Sequence, residues 1–239
     1  MGIHHPLGDA TTGRKAGVEA MLDIEYMPAM GALIPTEFWG FSGASPMDSA
    51  DEPFLKWLYT VGNTSDADVP LVFSTSYGED ETSELPSDYA SRIETEFVKC
   101  GARGISLLFA SGDSGAASDA GTCPDDQFMP MWPAASPFVT AVGGVTNGAM
   151  PESAWSGSSG GFSNMFDQPS WQQDAVTKYL SNDVSGSLPP SSFYNASGCG
   201  FPDISAQVTS RATGPLHPGT WSRNPVQITS GIIMPHHVY

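Results

Sequence analysis

The first two thirds of the chain alternate between stretches with apolar residues at helical spacing and short, continuous apolar runs. Between residues 17 and 27, Val18, Met21, Leu22 and Tyr26 recur at intervals of three and four, which predicts a helix with one apolar face. Residues 54–61 form a second helical candidate. "VPLVFSTSYG" is a short apolar run closing in a Ser/Gly loop and reads as a buried strand. In "SDYASRIETEFVKCGARG", Tyr89, Ile93 and Phe97 lie four apart on one face, with Ser87 as N-cap and Gly101 as C-terminal stop. "ISLLFA" and "PFVTAVGG" are further apolar runs of strand length.

Continuous apolar strands separated by amphipathic helices predict an α/β fold, a mostly parallel sheet with helices on both faces. In such sheets the working loops follow the C-terminal ends of strands. "SGDSG" falls there, directly after "ISLLFA", although a plain tight turn would account for its glycines as well. Beyond about residue 147 Gly, Ser, Pro and aromatic residues dominate. In that part only "SWQQDAVTKYL" reads as a helix, and no internal repeat is visible.

Composition supports a packed core: hydrophobic residues make up 40% of the 239, including 12 Phe, 6 Trp and 7 Tyr. Charge narrows the partners. Asp and Glu number 26 against 9 Lys and Arg, a formal net charge of -17, which disfavours nucleic acid and anionic membrane surfaces. Such an excess of carboxylates suits either a medium acidic enough to protonate many of them or an ordinary acidic protein of a neutral compartment. The three cysteines, Cys100, Cys123 and Cys199, form no metal-ligand spacing and leave room for one disulfide plus a free thiol. The sequons at Asn63 and Asn195 lean toward a secretory route. The N-terminal residues carry no apolar core of signal-peptide type, and no apolar run is long enough for a membrane span.

Two arrangements carry chemistry. Gly112-Asp113-Ser114-Gly115 matches the local signature around a trypsin-like nucleophile. That chemistry needs a histidine base on an all-β scaffold, whereas the histidines here are His4, His5, His217, His236 and His237, in no matching context. The second arrangement is Glu19 and Asp23, four apart on the first predicted helix and so on one face. Paired carboxylates tend to share one proton, which suits proton transfer in acid, where histidine is already protonated. A solvated acidic helix face is the plainer alternative. Asp113, in a Gly-rich loop at a strand end, is placed to donate a hydrogen bond to an oxyanion when protonated.

Taken together, "GRKAGVEAMLDIEYM", "EPFLKWL", "STSYGEDE", "GISLLFASGDSGA", "FMPMWPAASPFVTAVGG", "GGFSNMF", "AVTKYL", "LPPSSFYNASG" and "FPDISA" resemble the sedolisin family of serine-carboxyl peptidases, in order, over about residues 13–206. The resemblance implies a subtilisin-like fold, incomplete at both ends, in which residues 1–239 are a partial catalytic domain and 207–239 a divergent tail. It implies Glu19 as base, Asp23 as its orienting carboxylate and Asp113 as the oxyanion aspartate, with Ser114 not the nucleophile. It further implies peptide or unfolded-protein substrates, cleavage in acid, a lysosomal or other acidic or extracellular setting, and calcium bound in a C-terminal segment that this chain lacks. The family nucleophile belongs to a Ser-Gly-Thr-Ser-Ala-Ser motif. No such motif occurs here: aligning Ser230-Gly231 with its start puts Ile233 at the nucleophile position. The expectation is therefore a peptidase domain without its nucleophile, or a catalytically inactive homologue that binds or regulates.

Overall fold

The computed structural model describes residues 3–4, 18–31, 34–41, 53–81, 85–146, 153–181, 188–208 and 232–233. Its helices are α1 (Val18–Met30), α2 (Phe54–Asn63), α3 (Ser87–Ala102) and α4 (Gln173–Ser181). The strands in the first half are β1 (Ile3–His4), β2 (Thr36–Glu37), β3 (Trp39–Gly40), β4 (Val72–Thr75), β5 (Glu79–Asp80) and β6 (Ser106–Ala110). Those in the second half are β7 (Met131–Trp132), β8 (Thr140–Thr146), β9 (Gly161–Asp167), β10 (Gly198–Phe201), β11 (Ile204–Val208) and β12 (Ile232–Ile233).

The apolar runs pair as expected. β4, β6, β8 and β11 form one all-parallel sheet in the order β11-β8-β6-β4. Its register sets Phe73 opposite Leu107, Thr75 opposite Phe109, and Phe109 opposite Ala141. Residues opposite one another share a face, so these side chains present one buried surface. Against it pack Phe54, Trp57, Leu58 and Val61 of α2 and Tyr89, Ile93 and Phe97 of α3. Each large apolar side chain removed from water contributes about 1.5–3 kcal/mol, so this shared interface is the principal source of the fold's stability. Arg103 fastens the helix ends together. Its guanidinium bonds the Val61 and Thr64 carbonyls at 2.8 and 2.7 Å and pairs with Asp66 at 2.7 Å.

Local details differ from the sequence expectation. α1 runs on to Met30 through Pro28, beyond the expected end at Met27. α3 has Pro86 rather than Ser87 as its N-cap residue and continues past Gly101, whose backbone stays helical. The chain turns instead at Gly104, with φ of 76°. β4 is shorter than its apolar run, and Val72 is 61% exposed because β4 lies at the edge of the described sheet. After residue 147 there is more regular structure than expected: β9 and β10 pair antiparallel, and β11 joins the main sheet beside β8. The possible disulfide is not formed. Cys100 and Cys199 are buried free thiols and Cys123 is an exposed one. Among the described residues no helix is long and apolar enough to cross a membrane.

Candidate active site

Glu19 occupies the first turn of α1 and Asp23 lies one turn later. Asp23 is 1% exposed. Its Oδ1 lies 3.3 Å from the Ser76 Oγ, while its buried Oδ2 meets no hydrogen-bond partner among the described residues. Ser76 stands just beyond β4, where the chain leaves the sheet, and its hydroxyl also bonds the Glu19 carboxylate. The charge of Asp113, in the loop after β6, acts on Glu19. The helix pair and the loops after two parallel strands therefore converge at the C-terminal edge of the sheet, where α/β folds gather their chemistry.

Electrostatics at this cluster favour protons. Burial raises Glu19 above the usual carboxylate range and Asp113 raises it further, while the Ser76 bond opposes both. Asp23 is pushed up to about 8, first by burial and then by the Glu19 charge, again against the Ser76 bond. The charge of Glu19 makes Asp23 hold its proton more tightly, so the two carboxyls titrate as a coupled pair. Asp113, although exposed at the surface, is raised by partial desolvation.

The Asp113 loop is held rigidly. The Ser111 amide donates to the Val142 carbonyl at 2.9 Å, and the Ser159 amide to the Gly112 carbonyl at 3.0 Å. The Ser114 amide donates to the Ser159 Oγ at 3.0 Å. Gly112 has φ of 106°, and a Cβ there would lie 2.8 Å from the Ser159 Oγ, so the clasp needs glycine on both counts. Beside it, the Ser114 hydroxyl reaches Asp119 Oδ1 at 3.4 Å. The Asp119 amide donates to both Asp80 oxygens, at 3.1 and 3.2 Å. The hydroxyl partner of Ser114 is thus a carboxylate and not an imidazole.

Of the residues expected at the site, Glu19 and Asp23 share Ser76 as a hydrogen-bond partner, and the charge of Asp113 acts on Glu19. Sequence reasoning missed Ser76 and Ser159. The first had a signal, as a hydroxyl at the C-terminal end of an apolar strand. Ser159 had none, since its partner lies 45 residues away. Residues 209–231 and 234–239 lie outside the described residues, and with them Ser230 and Gly231. Ile233 belongs to β12, which pairs in parallel with β3 and runs beside α1 and β4. For the calcium implied by the family resemblance, the described residues offer no group of three or more His, Cys, Asp or Glu side chains around a common point.

Similarity in sequence to curated relatives over most of this chain supports the resemblance to the sedolisin family of serine-carboxyl peptidases. Those relatives are tripeptidyl-peptidase 1. That of Bos taurus is 47% identical over 210 residues, covering 84% of this chain and 34% of its own length. The Homo sapiens protein is 44% identical over 236 residues, covering 92% of this chain and 39% of its own. The chain therefore spans between a third and two fifths of the relatives it matches. No family model matches it. Among solved structures, Pseudomonas sedolisin (serine-carboxyl proteinase) aligns with a TM-score of 0.45 at 20% identity over 78% of this chain and 61% of its own.

Proposed function

We propose that this chain carries the acidic half of a serine-carboxyl peptidase site that acts on the free N-termini of peptides and unfolded proteins in acid. The observation that supports it most is the convergence of Glu19, Asp23 and Asp113 at the C-terminal edge of the parallel sheet. Glu19 would accept the proton of an attacking hydroxyl, and Asp23 would hold Glu19 in place and share its proton. Asp113, kept protonated in acid by its raised affinity for protons, would donate a hydrogen bond to the oxygen on which negative charge develops. The similarity to tripeptidyl-peptidase 1 supports release of short peptides as the reaction and a lysosome-type compartment as the setting.

The absence of a Ser-Gly-Thr-Ser-Ala-Ser motif from the sequence favours a second reading, in which this chain binds peptides without cleaving them. Isoleucine has no nucleophilic atom, so at the aligned position the carboxylates have no serine hydroxyl to activate for acyl transfer. Incubating the purified chain in acidic buffer with a fluorogenic tripeptide whose N-terminus is free separates the two. Turnover lost in Glu19→Gln supports the peptidase. Saturable binding without turnover supports the binding protein. Neither turnover nor binding overturns both.

A secretory route would also place glycan on Asn63, which is exposed at the end of α2. Asn195 is less available. Its amide donates to the Ser163 carbonyl at 2.9 Å, and its Oδ1 accepts from the Ser197 amide at 3.1 Å.

A further inference from the structure

We infer that Ser76 is a positioning residue whose hydroxyl bridges Glu19 and Asp23 and holds the pair in its singly protonated form. The inference deepens the reading of Glu19 and Asp23 as a proton-transfer pair and rests on it. Its basis is a count of protons. A serine hydroxyl has one proton to donate and two lone pairs to accept with. Here one oxygen hydrogen-bonds both carboxyl groups, 3.3 Å from Asp23 Oδ1 and also bonded to Glu19.

Consider the three protonation states in turn. With both carboxyls ionised, the hydroxyl can donate to only one, and its lone pairs then face the other anion. With both protonated, the oxygen accepts from each, and the pair holds no anion for the hydroxyl to donate a charge-assisted bond to. With one proton on the pair, every contact is satisfied: one carboxyl donates to Oγ, and Oγ donates to the other. The bridge therefore selects the state that a general base with a protonated neighbour requires.

Burial decides which partner holds the proton. Asp23 is 1% exposed, and its second oxygen has no partner among the described residues, so charge is most costly there. Glu19 is only half-buried and tolerates charge better. The relay then runs from the Asp23 O–H to Ser76 Oγ, and from the Ser76 O–H to the Glu19 carboxylate. Other charged groups face the pair from two sides. Asp113 acts on Glu19 from the loop after β6, and Glu37 lines the same small cavity as Asp23. The charge of Asp113 raises Glu19 and so adds to the pressure to retain one proton rather than none.

The test reads the carboxyl groups and not activity. The chain, labelled with carbon-13 at Asp and Glu side-chain carboxyls, is titrated by NMR as wild type, Ser76→Ala, Ser76→Thr and Ser76→Cys, with folding followed by circular dichroism. The expected wild-type pattern is two well-separated steps, the lower on Glu19. In Ser76→Ala the Glu19 midpoint rises by about one pH unit, the worth of one lost hydrogen bond to the charged form, and the two steps draw together. Ser76→Thr keeps the hydroxyl and restores the wild-type separation. Ser76→Cys, nearly isosteric with a weak donor, shifts in the same direction as alanine and decides the matter if Ser76→Ala does not fold.

Unchanged midpoints in the alanine and cysteine variants would overturn the bridge. So would a threonine variant shifted as far as alanine. The peptidase reading fails separately: a chain that shows the shift but neither cleaves nor binds a free-N-terminal tripeptide retains the bridge and loses the enzyme.

Discussion

Glu94 Oε2 accepts a 2.7 Å hydrogen bond from the Ser136 Oγ in the closed interior between α3 and the segment that follows β7. Its other oxygen faces the Trp132 indole N–H at 3.3 Å. Nearby, Glu81 accepts from the Ser163 Oγ at 2.5 Å and the Asn164 amide at 2.6 Å. Both glutamates are buried, at 7% and 5% exposure, and each is raised above its ordinary value chiefly by that burial. Glu94 ties α3 to β7 and the segment after it, and Glu81, just after β5, is tied to β9, so their protonation bears on contacts far apart in sequence.

Stability should consequently be greatest in acid. Glu94 is pushed from 4.5 up to about 7, so the folded state holds its proton more tightly than the unfolded chain. That contribution is complete below pH 4.5 and disappears as pH rises through about 7. By linkage it amounts to about 3 kcal/mol. Denaturant midpoints measured across this range should fall for the wild type, and Glu94→Gln should flatten the fall. A wild-type midpoint that rises toward neutral pH would contradict the assignment.

A second expectation concerns the aromatic interior. Phe109 of β6 is fully buried. Its ring centroid lies 6.0 Å from Phe54, 6.2 Å from Trp57 and 5.7 Å from Phe97. Phe109→Ala would open a cavity between the sheet and both helices and cost about 3–5 kcal/mol in chemical denaturation. Phe138→Ala, at a residue 46% exposed, should cost far less. Similar losses would mean that the α2–α3 layer is not the main core.

The third expectation tests the antiparallel pair of β9 and β10. Gly198 crosses Ser163 so closely that a methyl group there would overlap the Ser163 carbonyl oxygen. Both elements are short strand backbone and cannot move apart without breaking their pairing. Gly198→Ala should therefore destabilise by about 2–4 kcal/mol, whereas Gly62→Ala, with open space around it, should change stability little. Thermal melts of the two variants compare the sites directly.

What could be read from the sequence follows the strength of the periodic signal. Tyr89, Ile93 and Phe97 repeat every four residues because α3 buries one face, and the structure places all three in the core. "ISLLFA" stands out because both faces of β6 are at least partly covered. β9 and β10 escaped notice because "GGFSNMF" and "SGCGF" use glycine where chains must approach closely, so side-chain alternation is erased. The candidate site divides similarly. Glu19 and Asp23 are one helical turn apart and visible as a pair, but Ser76 joins Asp23 across 53 residues, which no local pattern records.

The last expectation separates Asp113 from its neighbour. The Ser114 hydroxyl makes one long contact, with Asp119, while the Ser114 amide helps to hold the loop through Ser159. Ser114→Ala keeps that amide, so stability should change by less than about 0.5 kcal/mol. A serine-directed phosphonate at neutral pH should leave Ser114 unmodified by mass spectrometry, because among the described residues its hydroxyl reaches the Asp119 carboxylate and no imidazole. Asp113 is raised by desolvation and its charge acts on Glu19; in the proposed reading its protonated carboxyl donates to the developing oxyanion. If the chain turns over a tripeptide reporter in acid, Asp113→Ala should lower the rate by about 10²-fold or more, and Ser114→Ala should leave it within about twofold. Equal losses from the two variants, or phosphonate on Ser114, would return the chemistry to the serine and remove Asp113 from the oxyanion role.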